Sequence, residues 1–143
     1  MSKSNTFETE LLALIFNATA IADLAENDAT APLTNLYVAL HTADPGEAGV
    51  QNTSETAYTG YARVAVARTA GGWAVAAGSV SPVANIDFGQ CTASPGAAIT
   101  HASVGVAASG ATKILYKGAL SASITMAVGT IPRITTGSTI TED

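Results

Sequence analysis

The sequence predicts a mainly β fold: a single β-sandwich of jelly-roll type, preceded by an N-terminal α-helix. Three observations carry this reading. Runs of strand length recur from Leu36 to the C-terminus, divided by Gly, Pro, Ser or Ala, with no helical period between them. The apolar fraction is 48%, but Ala, Val and Gly dominate it and aromatics make up 6%, so the core side chains are thin and suit closely spaced sheets. A chain of 143 residues is near the commonest size for one domain and buries roughly 70% of its unfolded surface. Residues 1–33 therefore read as a helical arm with its connector, and residues 34–143 as one β domain.

The helix is predicted over residues 5–18. Phe7, Leu11, Leu14, Ile15 and Ala18 recur at i, i+4, i+7, i+8 and i+11 and share one face. Asn5 and Glu8 have capping-box spacing, and Glu8 and Glu10 place negative charge in the first turn, where the helix dipole favours it. Leu12, Phe16 and Ile21 widen the apolar surface. Residues 22–33, with Asp23, Glu26, Asn27, Asp28 and Pro32, read as a connector.

Residues 36–41 are β-branched and aromatic enough for a strand, and Asp44-Pro45-Gly46 marks the turn after it. The polar insert 51–59 reads as an exposed loop. A second strand is expected over 61–68, with Ala62, Val64 and Val66 alternating against Tyr61, Arg63, Ala65 and Ala67. Gly71-Gly72 turns the chain before a strand at 73–75. Further strands are expected at 83–88, 98–106, 112–120, 123–127, 130–135 and 138–141. About eight strands suit a jelly roll, with an immunoglobulin-like sandwich as the competing arrangement.

Composition excludes several classes. Charged residues are 12% of the chain, and the formal net charge is −5. The three lysines and three arginines are spread from Lys3 to Arg133, so no basic patch for nucleic acid exists. Sparse charge suits a surface covered by neighbours in an assembly. Cys91 is the single cysteine, which leaves no intrachain disulfide or cysteine-rich zinc site. No membrane span or signal peptide is indicated, so synthesis in a cytoplasm is expected.

No catalytic constellation stands out, and the chain reads as a non-enzyme without metal or cofactor. His41 and His101 are the only histidines. His41 is expected to bond the backbone of the turn that follows it. A Ser-His-Asp relay using Asp44 would need a serine that no G-x-S-x-G elbow supplies. Asp44 and Glu47 lack the dense oxygen ligands of a calcium loop. Gly71-Gly72, Gly105 and Gly110 are turn or close-packing glycines rather than a phosphate loop. Tyr37, Tyr58, Tyr61, Trp73, Phe88 and Tyr116 are scattered in sequence, which argues against a stacking platform for bases; a sugar platform is the weaker alternative.

Four stretches carry a family resemblance: LYVALHTADPGEAG (36–49), YTGYARVAV (58–66), ITHASVGVAASGATKILYKGAL (99–120) and GSTITED (137–143). Together they resemble the small capsid cement (decoration) proteins of tailed bacteriophages, some of whose relatives are labelled tail-fibre proteins. The resemblance implies a virion structural protein on the outer capsid surface that binds and stabilises the shell of major capsid protein. The alternative it implies is a tail-fibre or receptor- and carbohydrate-binding component. No catalytic or metal residue carries over. Self-association as a homodimer is expected, with Phe7, Leu11, Leu14 and Ile15 contributing to a subunit–subunit or subunit–capsid interface.

Overall fold

A computed structural model describes residues 3–21, 24 and 32–141; the expected connector lies largely outside the described residues. Among these the chain is mainly β. One helix, α1 (Asn5–Asn17), precedes nine strands: β1 (Asn35–His41), β2 (Val64–Ala67), β3 (Trp73–Ala76), β4 (Ser79–Pro82), β5 (Ile86–Asp87), β6 (Ile99–Gly105), β7 (Ile114–Ile124), β8 (Arg133–Ile134) and β9 (Ile140–Thr141). They form sheets ordered β2-β1-β6-β7, β3-β4-β9 and β5-β8. The pairs β1/β6, β6/β7, β3/β4 and β4/β9 are antiparallel. A jelly roll divides about eight strands between two sheets; the described strands group as four, three and two.

The helix begins one residue earlier than the Asn5–Glu8 spacing suggests. Ser4 is the cap: its hydroxyl accepts from the Phe7 amide at 3.4 Å, and its carbonyl accepts from Glu8 at 3.0 Å. The helix stops where Ala18 enters the left-handed region (φ 55°), and the Thr19 amide turns back to the Ala13 carbonyl at 3.1 Å. Leu12 and Phe16 are fully buried, and the helix packs on β3 and β4. Phe16 meets Trp73 edge-on, with ring centroids 4.9 Å apart.

Polar contacts fix that packing. Arg68 donates from Nε to the Ile15 carbonyl and from Nη2 to the Leu14 carbonyl, each at 2.6 Å. It thus places a cation on the helix's last turn, where the macrodipole is negative. The Gly78 amide donates to Thr9 Oγ1 at 2.8 Å. With its nitrogen turned toward Thr69 and Trp73, the Asn17 amide reaches both of their carbonyls, at 3.2 and 3.1 Å.

Several strands differ from the expected spans. β4 was not anticipated, because Ala77-Gly78 is an unusual hairpin dipeptide. Both residues nevertheless have positive φ, 50° and 70°, which matches the primed two-residue turn that a right-twisted hairpin requires. The strand expected at 61–68 shortens to β2, because Tyr61 and Arg63 turn their side chains into a polar network. The two strands expected at 112–120 and 123–127 are one, β7; Gly118 and Ser121 do not interrupt it. The strand expected at 83–88 is only the two residues of β5.

By internal contacts the chain divides into two compact units. One comprises Met1–Asn35, Val66–Ile86 and Ile134–Asp143; the other comprises Leu36–Ala65 and Asp87–Arg133. The helix thus shares a unit with β3, β4 and β9.

Removing the helix's buried anchors should destabilise the first unit. Leu12→Ala and Phe16→Ala are each expected to cost about 2–5 kcal/mol in urea unfolding. Leu11→Ala, at a half-buried position, should cost clearly less. Equal losses at Leu11 and Leu12 would show that the helix packs by a different face.

Candidate functional site

The chemically richest part of the molecule is a buried polar network in the unit formed by Leu36–Ala65 and Asp87–Arg133. Its centre is Arg63, whose side chain is 1% exposed. Nε and Nη2 bind the two Glu55 carboxylate oxygens at 2.7 and 2.8 Å, a bidentate ion pair. Nη1 donates to Gln51 Oε1 (3.2 Å), the Ala107 carbonyl (3.0 Å) and Thr112 Oγ1 (3.1 Å), and Nη2 also reaches the Gly110 carbonyl at 2.8 Å. The Glu55 carboxylate holds the Arg63 pKa above its ordinary value, against the opposing effect of burial.

The partners are satisfied in turn. Gln51 donates from Nε2 to the Tyr37 carbonyl at 2.9 Å and receives the Thr112 hydroxyl at Oε1, 3.1 Å. Tyr61 donates its hydroxyl to Glu55 Oε1 at 2.8 Å and accepts the Leu40 amide at 3.1 Å. Burial, reinforced by Glu55, pushes the Tyr61 pKa upward. Gly105 lies directly beneath the Gln51 side chain, where a Cβ would overlap the amide group. The exposed-loop reading of 51–59 holds for Asn52, Ser54, Ala57 and Thr59 but not for Gln51, Thr56 and Tyr58, which are buried because this part of the insert folds inward onto Arg63 and the sheet.

His41 forms a second anchor for the same insert. It is fully buried, with Nδ1 2.9 Å from the Thr53 carbonyl and Nε2 2.8 Å from Ser103 Oγ. A carbonyl only accepts, so Nδ1 carries the proton and Nε2 accepts from the serine. The backbone partner therefore lies in the insert rather than in the turn directly after His41. Burial lowers the His41 pKa below its ordinary 6.5; Arg63 and His101 act in the same direction, while the Thr53 carbonyl and Glu55 oppose. The Ser103–His41 contact has nucleophile–base spacing, but both residues are buried.

The remaining candidates fall elsewhere. Asp44 does not orient His41: it accepts the Gly46 amide at 2.8 Å and pairs with Lys117 at 3.0 Å. Glu47 joins the same lysine at 2.9 Å, so the two carboxylates hold an ammonium group. The Gly46 amide and Lys117 keep the Asp44 carboxyl below the usual carboxylate range. His101 bonds its neighbour Thr100. Among the described residues no cluster of three metal-ligating side chains occurs, and no helix is long and apolar enough to cross a membrane.

Two groups of candidates come together in space. Tyr58 and Tyr61 meet edge-on at 5.4 Å, and Tyr61 stacks on Phe88 at 6.2 Å. Tyr58 and Phe88 are 3% exposed, so this cluster is core rather than platform, and burial raises the Tyr58 pKa to about 12. Phe7, Leu11, Leu14 and Ile15 are each half-buried on α1, whose fully buried residues are Leu12 and Phe16.

Sequence reasoning placed Arg63 on a strand by alternation and so missed the hub. The available signal was scarcity: of six basic residues in the chain, one sits just after a polar insert that contains both a glutamine and a glutamate.

A bacteriophage structural protein is the class to which these features and the comparison with known families lead. The family model of the podophage GP4 fiber I protein gp80 matches residues 2–142, and the chain belongs to that family. The match takes in the N-terminal helix as well as the β region. No curated protein matches the chain.

Arg63→Met should cost about 3–5 kcal/mol, because it leaves the Glu55 carboxylate and the loop carbonyls without their donor. Arg63→Met combined with Glu55→Gln should recover part of that loss in chemical denaturation. Gly105→Ala should cost about 1–3 kcal/mol by overpacking, since Gln51 is bonded at both ends and cannot yield.

The lowered His41 pKa fixes the sign of a pH effect. Between 6.5 and the folded value the unfolded chain binds more protons, so this contribution is complete above 6.5 and lost as pH falls toward the folded value. Thermal midpoints should drop between about pH 7.5 and about pH 5.5, and His41→Gln should flatten that profile. A profile unchanged by the substitution would mean that other groups set it.

Proposed function

We propose that the chain is a structural, non-catalytic component of a podophage fibre, carried on the virion and made in the host cytoplasm. The observation that carries this reading is the family match across residues 2–142. The site supports it. Arg63, Glu55, Gln51, His41 and Ser103 are engaged in tying loops to a sheet, which suits a rigid building block. Three of the aromatic residues that would form a sugar platform, Tyr58, Trp73 and Phe88, are buried in the core, which favours a load-bearing role over a glycan-binding tip.

A second reading, capsid cement bound to the major capsid protein, is favoured by the resemblance in residues 36–49 and 58–66. On either reading the half-exposed stripe Phe7, Leu11, Leu14 and Ile15 is the surface offered to a virion neighbour. Neither reading requires nucleic acid, membrane, metal or cofactor.

Fractionated virions separate the two. The chain should co-purify with tails or detached fibres and be depleted from tail-free heads by quantitative mass spectrometry. Recovery from tail-free heads in numbers comparable to the major capsid protein would instead establish cement. Leu11→Ser with Ile15→Ser should leave the fold intact by circular dichroism yet reduce incorporation into particles. Unchanged incorporation would remove the stripe from the interface.

A further inference from the structure

β7 is the outer strand of the four-stranded sheet, and it differs from every other sheet edge among the described residues. The strands β2 and β3, at other edges, have four residues each, and β9 has two; β7 has 11. Short edges are one way a sheet avoids pairing with another chain; charge, proline and bulges are others. β7 contains no proline, Lys117 is its only charged residue, and its two irregularities against β6 flank rather than interrupt Tyr116–Ala119.

That one charge is paired with two exposed carboxylates, Asp44 at 3.0 Å and Glu47 at 2.9 Å, and such exposed pairs leave the ammonium most of its charge. The strand is also open. No residue of β7 is buried, and Gly118, Ala119, Ser121, Ala122 and Ser123 are exposed, whereas central β1 is buried along most of its length. The register with β6 is regular from Tyr116 to Ala119 and shifts on both sides, between Ile114 and Tyr116 and between Ala119 and Ile124, so Leu115 and Leu120–Ser123 have no Cα partner there.

We propose that β7 pairs antiparallel with β7 of a second copy of this chain. Charge selects the register. Centring the two-fold on Lys117 would oppose two lysines, which is unfavourable directly across strands. Centring it on Gly118 sets Lys117 against the partner copy's Ala119 position and Tyr116 against its Leu120 position, an aromatic–aliphatic pair. The operation is isologous, so it closes as a dimer instead of growing into an open polymer. The backbone supplies the hydrogen bonds, as in strand addition generally. The inference rests on the edge itself and holds for a fibre component and a cement protein alike.

Sedimentation velocity over a concentration series, with hydrogen–deuterium exchange of the β7 amides, tests it on the wild-type chain. A monomer–dimer equilibrium is expected, with amides in 114–122 gaining protection as dimer forms. Ala119→Lys places a lysine opposite Lys117 twice per dimer and should weaken association about tenfold, whereas Ala119→Glu should bind at least as tightly as wild type. Ala119 is exposed, so circular dichroism should show the fold unchanged in both variants. A wild-type chain that stays monomeric, a dimer whose β7 amides exchange at the monomer rate, or equal effects of the lysine and glutamate variants would each overturn the proposal.

Discussion

A buried guanidinium must find acceptors for five N–H bonds or leave charge stranded in a low dielectric. Arg63 finds them in Glu55, Gln51, Thr112 and the carbonyls of Ala107 and Gly110. Those acceptors come from two stretches distant in sequence, so satisfying one side chain fixes both. The insert after β1 and the loop between β6 and β7 are ordered by the same requirement. Gly105 and Tyr61 become constrained in turn, one by making room for Gln51 and the other by bonding Glu55. The pair itself need contribute little net stability, since desolvation offsets much of the attraction. Its value lies in admitting one arrangement of loops and penalising the rest.

Much of the fold could be read from the sequence where water decides which face a residue takes. The helix was recognisable because Leu11, Leu12, Leu14, Ile15 and Phe16 leave few alternatives, and β1 and β6 because their apolar runs have strand length. The reading failed where polar residues go inward. Gln51 and Thr56 look like solvent-facing loop residues, and Arg63 looks like the outer member of an alternating strand. Only tertiary hydrogen bonding makes their burial favourable, and pairing across 44 to 61 positions leaves no local pattern. The β3–β4 hairpin was hidden for a different reason: Ala77 adopts a conformation that alanine seldom takes.

Sparse charge takes on meaning once the pairs are traced. Arg63, Lys117 and Arg133 each face carboxylates within the chain, and Arg68 faces helix carbonyls. The basic residues are thus largely committed to internal contacts. What the surface offers to neighbours is then mostly uncharged: apolar side chains such as Val83, Val128 and Ile131 and the small neutral ones of β7. That suits membership of a virion component family, in which copies and partners meet at close range and long-range repulsion would hinder assembly.

The division into two units also separates the chromophores. Trp73, the only tryptophan, lies in the unit that contains the helix, while Tyr37, Tyr58, Tyr61 and Tyr116, all the tyrosines in the chain, lie in the other. Indole emission therefore reports on the helix-bearing unit, and phenol absorbance on the unit with the ionic core. The polypeptide carries a built-in two-channel optical record of its own unfolding. Coincident transitions in the two channels would define the units as one cooperative body, and separated transitions would rank their stabilities without any added label.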